Sequence, residues 1–178
     1  MMKVYLIGFM GSGKSFLGKQ LAAQLDLDFV DLDDQIEAKA GMAISQIFEQ
    51  FDEDYFRTIE QTVLHETELL TGAVISTGGG APCFFNNMTW MNHQGLTVYL
   101  QTTASLLAER LQSEMAHRPL LADLSTSDLI QFIEDKVAAR THFYEQAHII
   151  WTQDHNNQSD WSILGEKIRT RLFDPGKI

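Results

Sequence analysis

Gly8-Phe9-Met10-Gly11-Ser12-Gly13-Lys14-Ser15 decides how this chain folds. An unbroken apolar run, Val4-Tyr5-Leu6-Ile7, precedes it, and Leu17, Leu21 and Leu25 follow at helical spacing. The segment therefore joins a buried strand to a helix, the setting a phosphate-binding P-loop requires. Glycines let the backbone turn where a Cβ would clash, so that successive N–H groups face one anion-sized hollow backed by the helix N-terminus. Lys14 then reaches the β/γ-phosphates of a nucleotide and Ser15 holds magnesium. The fixed positions of the motif arise by chance in roughly one chain per hundred of this length.

Outward from that loop, apolar runs alternate with helical patterns. Strands are expected at Val4–Ile7, Phe29–Asp33, Val74–Ser76, Leu96–Leu100 and His148–Trp151. Between them the spacing predicts two short helices broken at Gly41, a longer one from Asp52 to Leu70 stopped by Gly72, and others over about 103–112, Ser125–Gln146 and Asp160–Leu172. Strands apolar throughout and alternating with helices indicate a parallel sheet covered on both faces, a three-layer doubly wound α/β fold. In such sheets functional groups gather at the carboxyl ends of the strands. That places Gly8–Ser15, Asp31, Asp33 and Ser76–Gly80 along one rim. Ser113–Leu124 lacks periodicity and is expected to be a mobile loop.

With 178 residues the chain suits a single domain. A formal net charge of −11, from 13 Lys plus Arg against 24 Asp plus Glu, argues against a nucleic-acid partner, which needs a broad basic surface. An anionic substrate must instead meet a few placed cations. The single cysteine, Cys83, excludes an internal disulfide and fits a reducing compartment, so a cytoplasmic location is expected. No apolar stretch approaches the roughly 20 residues of a membrane span, and the first apolar run is too short for a signal peptide. None of the six histidines has ligand spacing.

Four constellations carry chemistry. Asp31 and Asp33 stand two apart, and share a face if the strand runs through both; one can support magnesium through water and the other take a proton from a hydroxyl. The bland alternative is a helix N-cap pair. Arg140 falls at about 20° on a helical wheel begun at Leu129, inside the stripe of Ile133, Phe143 and Tyr144. A guanidinium there must find an anion or escape to water, as Lys136 on the same face can. Arg57 lies at the edge of its own helix's stripe with Glu60 three residues on, a pairing that fixes a guanidinium while leaving donors for a substrate carboxylate. Gly78-Gly79-Gly80 lets backbone approach a small ligand, and Arg118-Pro119 offers a cation on a closing loop.

Together these residues resemble the shikimate kinase family. The resemblance rests on Gly8–Ser15, Asp31-Leu-Asp33-Asp-Gln-Ile-Glu37, Phe56-Arg57-Thr-Ile-Glu60, Ser76-Thr-Gly-Gly-Gly80, Arg118-Pro-Leu-Leu121 and Arg140-Thr-His-Phe-Tyr144. It implies a P-loop fold of the nucleoside-monophosphate-kinase type in one kinase domain, with a substrate subdomain over about 33–60 and a lid over about 113–124. It further implies transfer of the ATP γ-phosphoryl group to the 3-hydroxyl of shikimate, with Mg2+, in aromatic amino-acid biosynthesis. By motif, Lys14, Asp33 and Arg118 are catalytic; Gly11, Ser12, Gly13, Lys14, Ser15, Phe16, Arg110 and Arg118 bind ATP. Asp33, Phe48, Phe56, Arg57, Gly78, Gly79, Gly80 and Arg140 bind the substrate, and Ser15 and, through water, Asp31 hold the metal. After the fifth strand the chain departs from the family pattern, and Gln158 is expected to serve the adenine instead. The partners implied are shikimate and ATP, with neither membrane nor nucleic acid, and a monomer is expected. A gluconate or nucleoside-monophosphate kinase, or a nucleotide-dependent binding module without catalysis, are the competing readings.

Overall fold

The computed structural model describes residues 2–112, 125–153 and 161–173. Five strands, β1 (Met2–Ile7), β2 (Asp28–Asp31), β3 (Gly72–Ser76), β4 (Leu96–Thr102) and β5 (Ile149–Gln153), form one parallel sheet in the order β2-β3-β1-β4-β5. Among the described residues eight α-helices run with them: α1 (Lys14–Leu25), α2 (Leu32–Ala40), α3 (Ile44–Gln50), α4 (Glu53–Glu66), α5 (Asn87–Gln94), α6 (Ala104–Gln112), α7 (Thr126–Tyr144) and α8 (Trp161–Phe173). The central strand shows why both faces are covered. Tyr5 and Ile7 pack on one side with Leu32, Ile36, Ile47, Phe56, Leu64 and Tyr144; Val4 and Leu6 pack on the other with Leu17, Leu21, Leu164 and Ile168. Successive side chains of a strand alternate in direction, so a strand buried on both faces is apolar throughout. The expected three-layer doubly wound sheet is the one observed.

Register then builds the rim. Leu6 stands opposite Ser76, and Ser76 opposite Asp31, so the ends of β1, β3 and β2 are level. Thr77 closes the seam, donating from both its N–H and its hydroxyl to the Leu6 carbonyl. Some boundaries differ from expectation. β2 stops at Asp31, whose carboxylate caps α2 by accepting from the Asp33 N–H, so the two acids lie on a strand end and a first helical turn, not along one strand. The long helix stops at Glu66, and a 3-10 turn over Thr67–Leu69 follows, with the Lys3 ammonium donating to the Thr67 and Glu68 carbonyls. Gly72 begins β3. Helix α5 is not marked in the sequence, because Met88, Trp90 and Met91 make no clean helical stripe; Phe85 and Asn86 before it adopt positive φ.

Candidate active site

The loop after β1 and the start of α1 surround a cavity of about 670 Å3. Gly13, the residue before α1, has φ 89°, a left-handed conformation in which an L side chain is strained. Lys14 is largely buried, its ammonium donating to the Gly8 and Phe9 carbonyls at 2.9 and 3.0 Å, so it lies folded across the loop. Of the residues expected to bind nucleotide or substrate, Gly11, Gly13, Lys14, Ser15, Phe16, Asp33, Gly78, Gly79 and Arg110 line this cavity. Ser12 is fully buried behind them. Arg118, Gln158 and the expected lid over 113–124 lie outside the described residues.

At the floor, the Ser15 hydroxyl donates to Asp31 Oδ2 at 2.5 Å and lies 3.2 Å from the Ser76 hydroxyl. This cluster of hard oxygens follows from the strand register, which sets Asp31 beside Ser76. Ser76 and Thr77 line the cavity as well; the sequence places them on this rim, but the contact between Ser76 and Ser15 follows only from the register. Asp33 stands at the same wall. Desolvation and the neighbouring Asp31 charge raise its pKa, and the Lys14 ammonium opposes them.

Beyond Gly79 the site turns into a second subsite. Arg57 is almost buried, with Nη1 donating to Glu60 Oε2 at 2.7 Å and Nη2 to Glu53 Oε1 at 2.9 Å. Its guanidinium lies 4.2 Å from the centre of the Phe84 ring and 5.0 Å from that of Phe56, and Phe48 packs against Phe56 at 4.7 Å. Gly80 has ordinary φ, yet a Cβ there would stand 2.6 Å from Arg57 Nη2, so only glycine lets the guanidinium lie against the turn. Arg140, on α7, is half-buried with its guanidinium 5.6 Å from the Phe9 ring centre and makes no ion pair among the described residues. Lys136 is exposed, as snorkelling requires.

The two arginines act on the same neighbours. Burial raises the pKa of Glu60 and of Cys83, and in both cases the Arg57 and Arg140 charges pull against it. Arg57 is neutralised by Glu60 and Glu53, whereas Arg140 has no ion pair among the described residues, so its charge favours an incoming anion. The Glu60 carboxylate is fully buried with Oε1 lacking a partner, and both that oxygen and Asp33 Oδ1 lie within 3.3 Å of where a Gly78 Cβ would stand. A glycine turn, the Arg57 guanidinium and two acids therefore converge, and the Arg140 charge acts on one of those acids.

The opposite end of the cavity holds Arg110, Gln153, Phe16 and Trp161. Arg110 Nη1 donates to the Gly11 carbonyl at 3.1 Å, and both of its terminal nitrogens lie 3.5 Å from Gln153 Oε1. Gln153 is fully buried and also donates to the Ser12 carbonyl, tying β5 to the phosphate loop. Neither Gln153 nor Trp161 was found in the sequence, because nothing local marks a strand-end glutamine or a helix-start tryptophan as a site residue.

A parallel sheet with a phosphate loop after its central strand, a Ser–Asp–Ser oxygen cluster under it and an acid beside it defines a P-loop phosphotransferase. The shikimate kinase family model matches residues 10–171. A shikimate kinase from Parabacteroides distasonis is 46% identical over 149 residues, covering 84% of this chain and 86% of that protein. The crystal structure of shikimate kinase from Bacteroides thetaiotaomicron superposes with a TM-score of 0.86 at 36% identity, covering 96% of this chain and 97% of the other. That of the Acinetobacter baumannii enzyme in complex with shikimate gives 0.85 at 34% identity, covering 100% and 96%. The chain belongs to the shikimate kinase family. As a member it is an ATP-dependent kinase acting on shikimate, a transferase of aromatic amino-acid biosynthesis.

Proposed function

We propose that the chain transfers the γ-phosphoryl group of ATP to the 3-hydroxyl of shikimate, giving shikimate 3-phosphate and ADP, in the cytoplasm and as a monomer. The reading is carried by Arg57 lying against the Gly80 turn, with Arg140 over Phe9, whose backbone borders Gly79 on the other side of that turn. The two arginines read the substrate carboxylate, while Phe48 and Phe56 wall the ring and residues 33–60 act as the substrate subdomain. Asp33 at the cavity wall then faces the hydroxyl that reacts, and its raised pKa makes it a better base than an ordinary aspartate. Lys14 swings from the Gly8 and Phe9 carbonyls onto the phosphates and offsets the charge that grows on them in transfer. Arg118 adds a second cation there.

The oxygens of Ser15, Ser76 and Asp31 fit a magnesium ion, which takes one or two protein oxygens and completes its shell with water and phosphate. Among the described residues no group of three His, Cys, Asp or Glu could hold a metal alone. Magnesium, when bound with ATP, supplies charge neutralisation between the β- and γ-phosphates. Ser15 would hold it directly and Asp31 through water. The test is ADP release by the purified protein with shikimate, gluconate and nucleoside monophosphates. Shikimate alone is expected to give rapid turnover; equal or faster turnover of another acceptor overturns the reading.

A further inference from the structure

Tyr144 is fully buried at the last turn of α7, one helical turn beyond Arg140. Its ring packs on Tyr99 of β4, with centroids 4.9 Å apart, and its hydroxyl donates to the Gly79 carbonyl at 2.6 Å. A trans peptide points its carbonyl and its N–H in opposite directions. Pinning the Gly79 carbonyl to the phenol therefore turns the Gly80 N–H, in the same peptide plane, away from Tyr144. Neither the Gly79 nor the Gly80 N–H finds a hydrogen-bond acceptor among the described residues, although Gly80 is a buried residue and the Arg57 guanidinium lies against it. A backbone N–H left without a partner in a buried residue is uncommon and calls for an explanation, which an acceptor on a ligand supplies.

We propose that Tyr144 is a positioning residue of the carboxylate receptor. Its hydroxyl fixes the rotation of the Gly79–Gly80 peptide, so that the Gly80 N–H stands ready beside the Arg57 guanidinium as a further donor to the substrate carboxylate. The phenol thus joins α7, which carries Arg140, to the turn on which Arg57 rests, and the receptor is assembled before the substrate arrives. Glycines at 78, 79 and 80 make the turn small enough for close approach but leave its peptide planes free to rotate, and the phenol removes that freedom. The inference rests on shikimate being the substrate.

Tyr144→Phe keeps the ring and deletes the one hydroxyl. Shikimate turnover by wild type is measured first; its absence overturns both the substrate reading and this inference. With wild-type turnover present, the variant is expected to show a KM for shikimate raised roughly five- to twentyfold, the effect of one misplaced donor to a charged group, with kcat within about twofold and KM for ATP unchanged. An unchanged KM for shikimate, or a fall in kcat without a rise in KM, overturns the positioning role and leaves the substrate reading standing. Should the variant not fold, amide hydrogen exchange in the wild-type protein decides. The Gly80 amide is expected to slow sharply when shikimate is added without nucleotide, and exchange there unaltered by shikimate overturns the assignment.

Discussion

Replacing Gly80 with alanine tests the receptor without removing any charged group. Because Gly80 has φ −90°, alanine adds no backbone strain; the effect is steric. Its Cβ would stand 2.6, 2.8 and 2.9 Å from Nη2, Nη1 and Cζ of Arg57, against the roughly 3.5–4.0 Å of a normal contact. The guanidinium must retreat by about an ångström. It cannot do so freely, since Glu53 and Glu60 hold its nitrogens and the Phe84 ring covers one face. Retreat weakens the contact with Glu60, a buried carboxylate that already has one oxygen without a partner. A displaced charged donor costs about 1.5–3 kcal/mol of substrate binding, or roughly ten- to a hundredfold in the shikimate Kd. The strained pair also lowers stability by about 1–2 kcal/mol, a Tm fall of roughly 2–8 °C for a chain of this size. Shikimate titration by calorimetry without nucleotide reads the first quantity and a thermal scan the second. A variant with wild-type affinity and a lowered Tm would show that glycine is needed there for packing and not for the carboxylate.

Lys14→Ala is expected to lower turnover by a factor of hundreds, the usual loss of a transition-state charge contact, with Tm within a few degrees of wild type; ADP release and a thermal scan check it, and more than about a tenth of wild-type turnover contradicts it. The raised pKa of Asp33 has two signs to test. As a base it must be unprotonated, so kcat/KM falls as pH drops through its pKa, above the ordinary aspartate range. For stability the sign is reversed. A carboxyl whose folded pKa lies above its unfolded value binds the proton more tightly when folded, so stability falls as pH rises through the window between the two. Asp33→Asn is therefore expected to keep or raise Tm at neutral pH while turnover collapses, and a lower Tm there would show that the carboxylate stabilises the fold.

Much of this molecule is written locally and can be read locally. The phosphate loop, its flanking strand and helix, and the doubly covered sheet depend on short-range patterns: the glycines, Val4–Ile7, and the leucines of α1. Arg140 betrays itself because a cation in an apolar stripe is a conflict that only function or snorkelling resolves. What the sequence hides depends on register and on rotation of peptides. Ser76 becomes a neighbour of Ser15 only when β3 pairs in one register with β2 and β1. Gln153 reaches Arg110 and the Ser12 carbonyl from a distant strand end. The acids at 31 and 33 mislead for a local reason, since an aspartate that caps a helix ends the strand period the reading relied on. Gly80 is legible as a turn residue, but its closeness to Arg57 belongs to the packing of α4.

Whether Arg57 and Arg140 recognise one carboxylate is decided by comparing shikimate with its carboxamide, in which that carboxylate is a neutral amide. Binding of both is measured for wild type, Arg57→Ala, Arg140→Ala and the double variant. Wild type is expected to prefer shikimate strongly, each single variant to lose about 1.5–3 kcal/mol for shikimate and little for the amide, and the double variant to lose less than the sum because the two share one partner. Equal wild-type affinity for the two ligands, or additive losses that are the same for both, would mean that these arginines do not read a carboxylate.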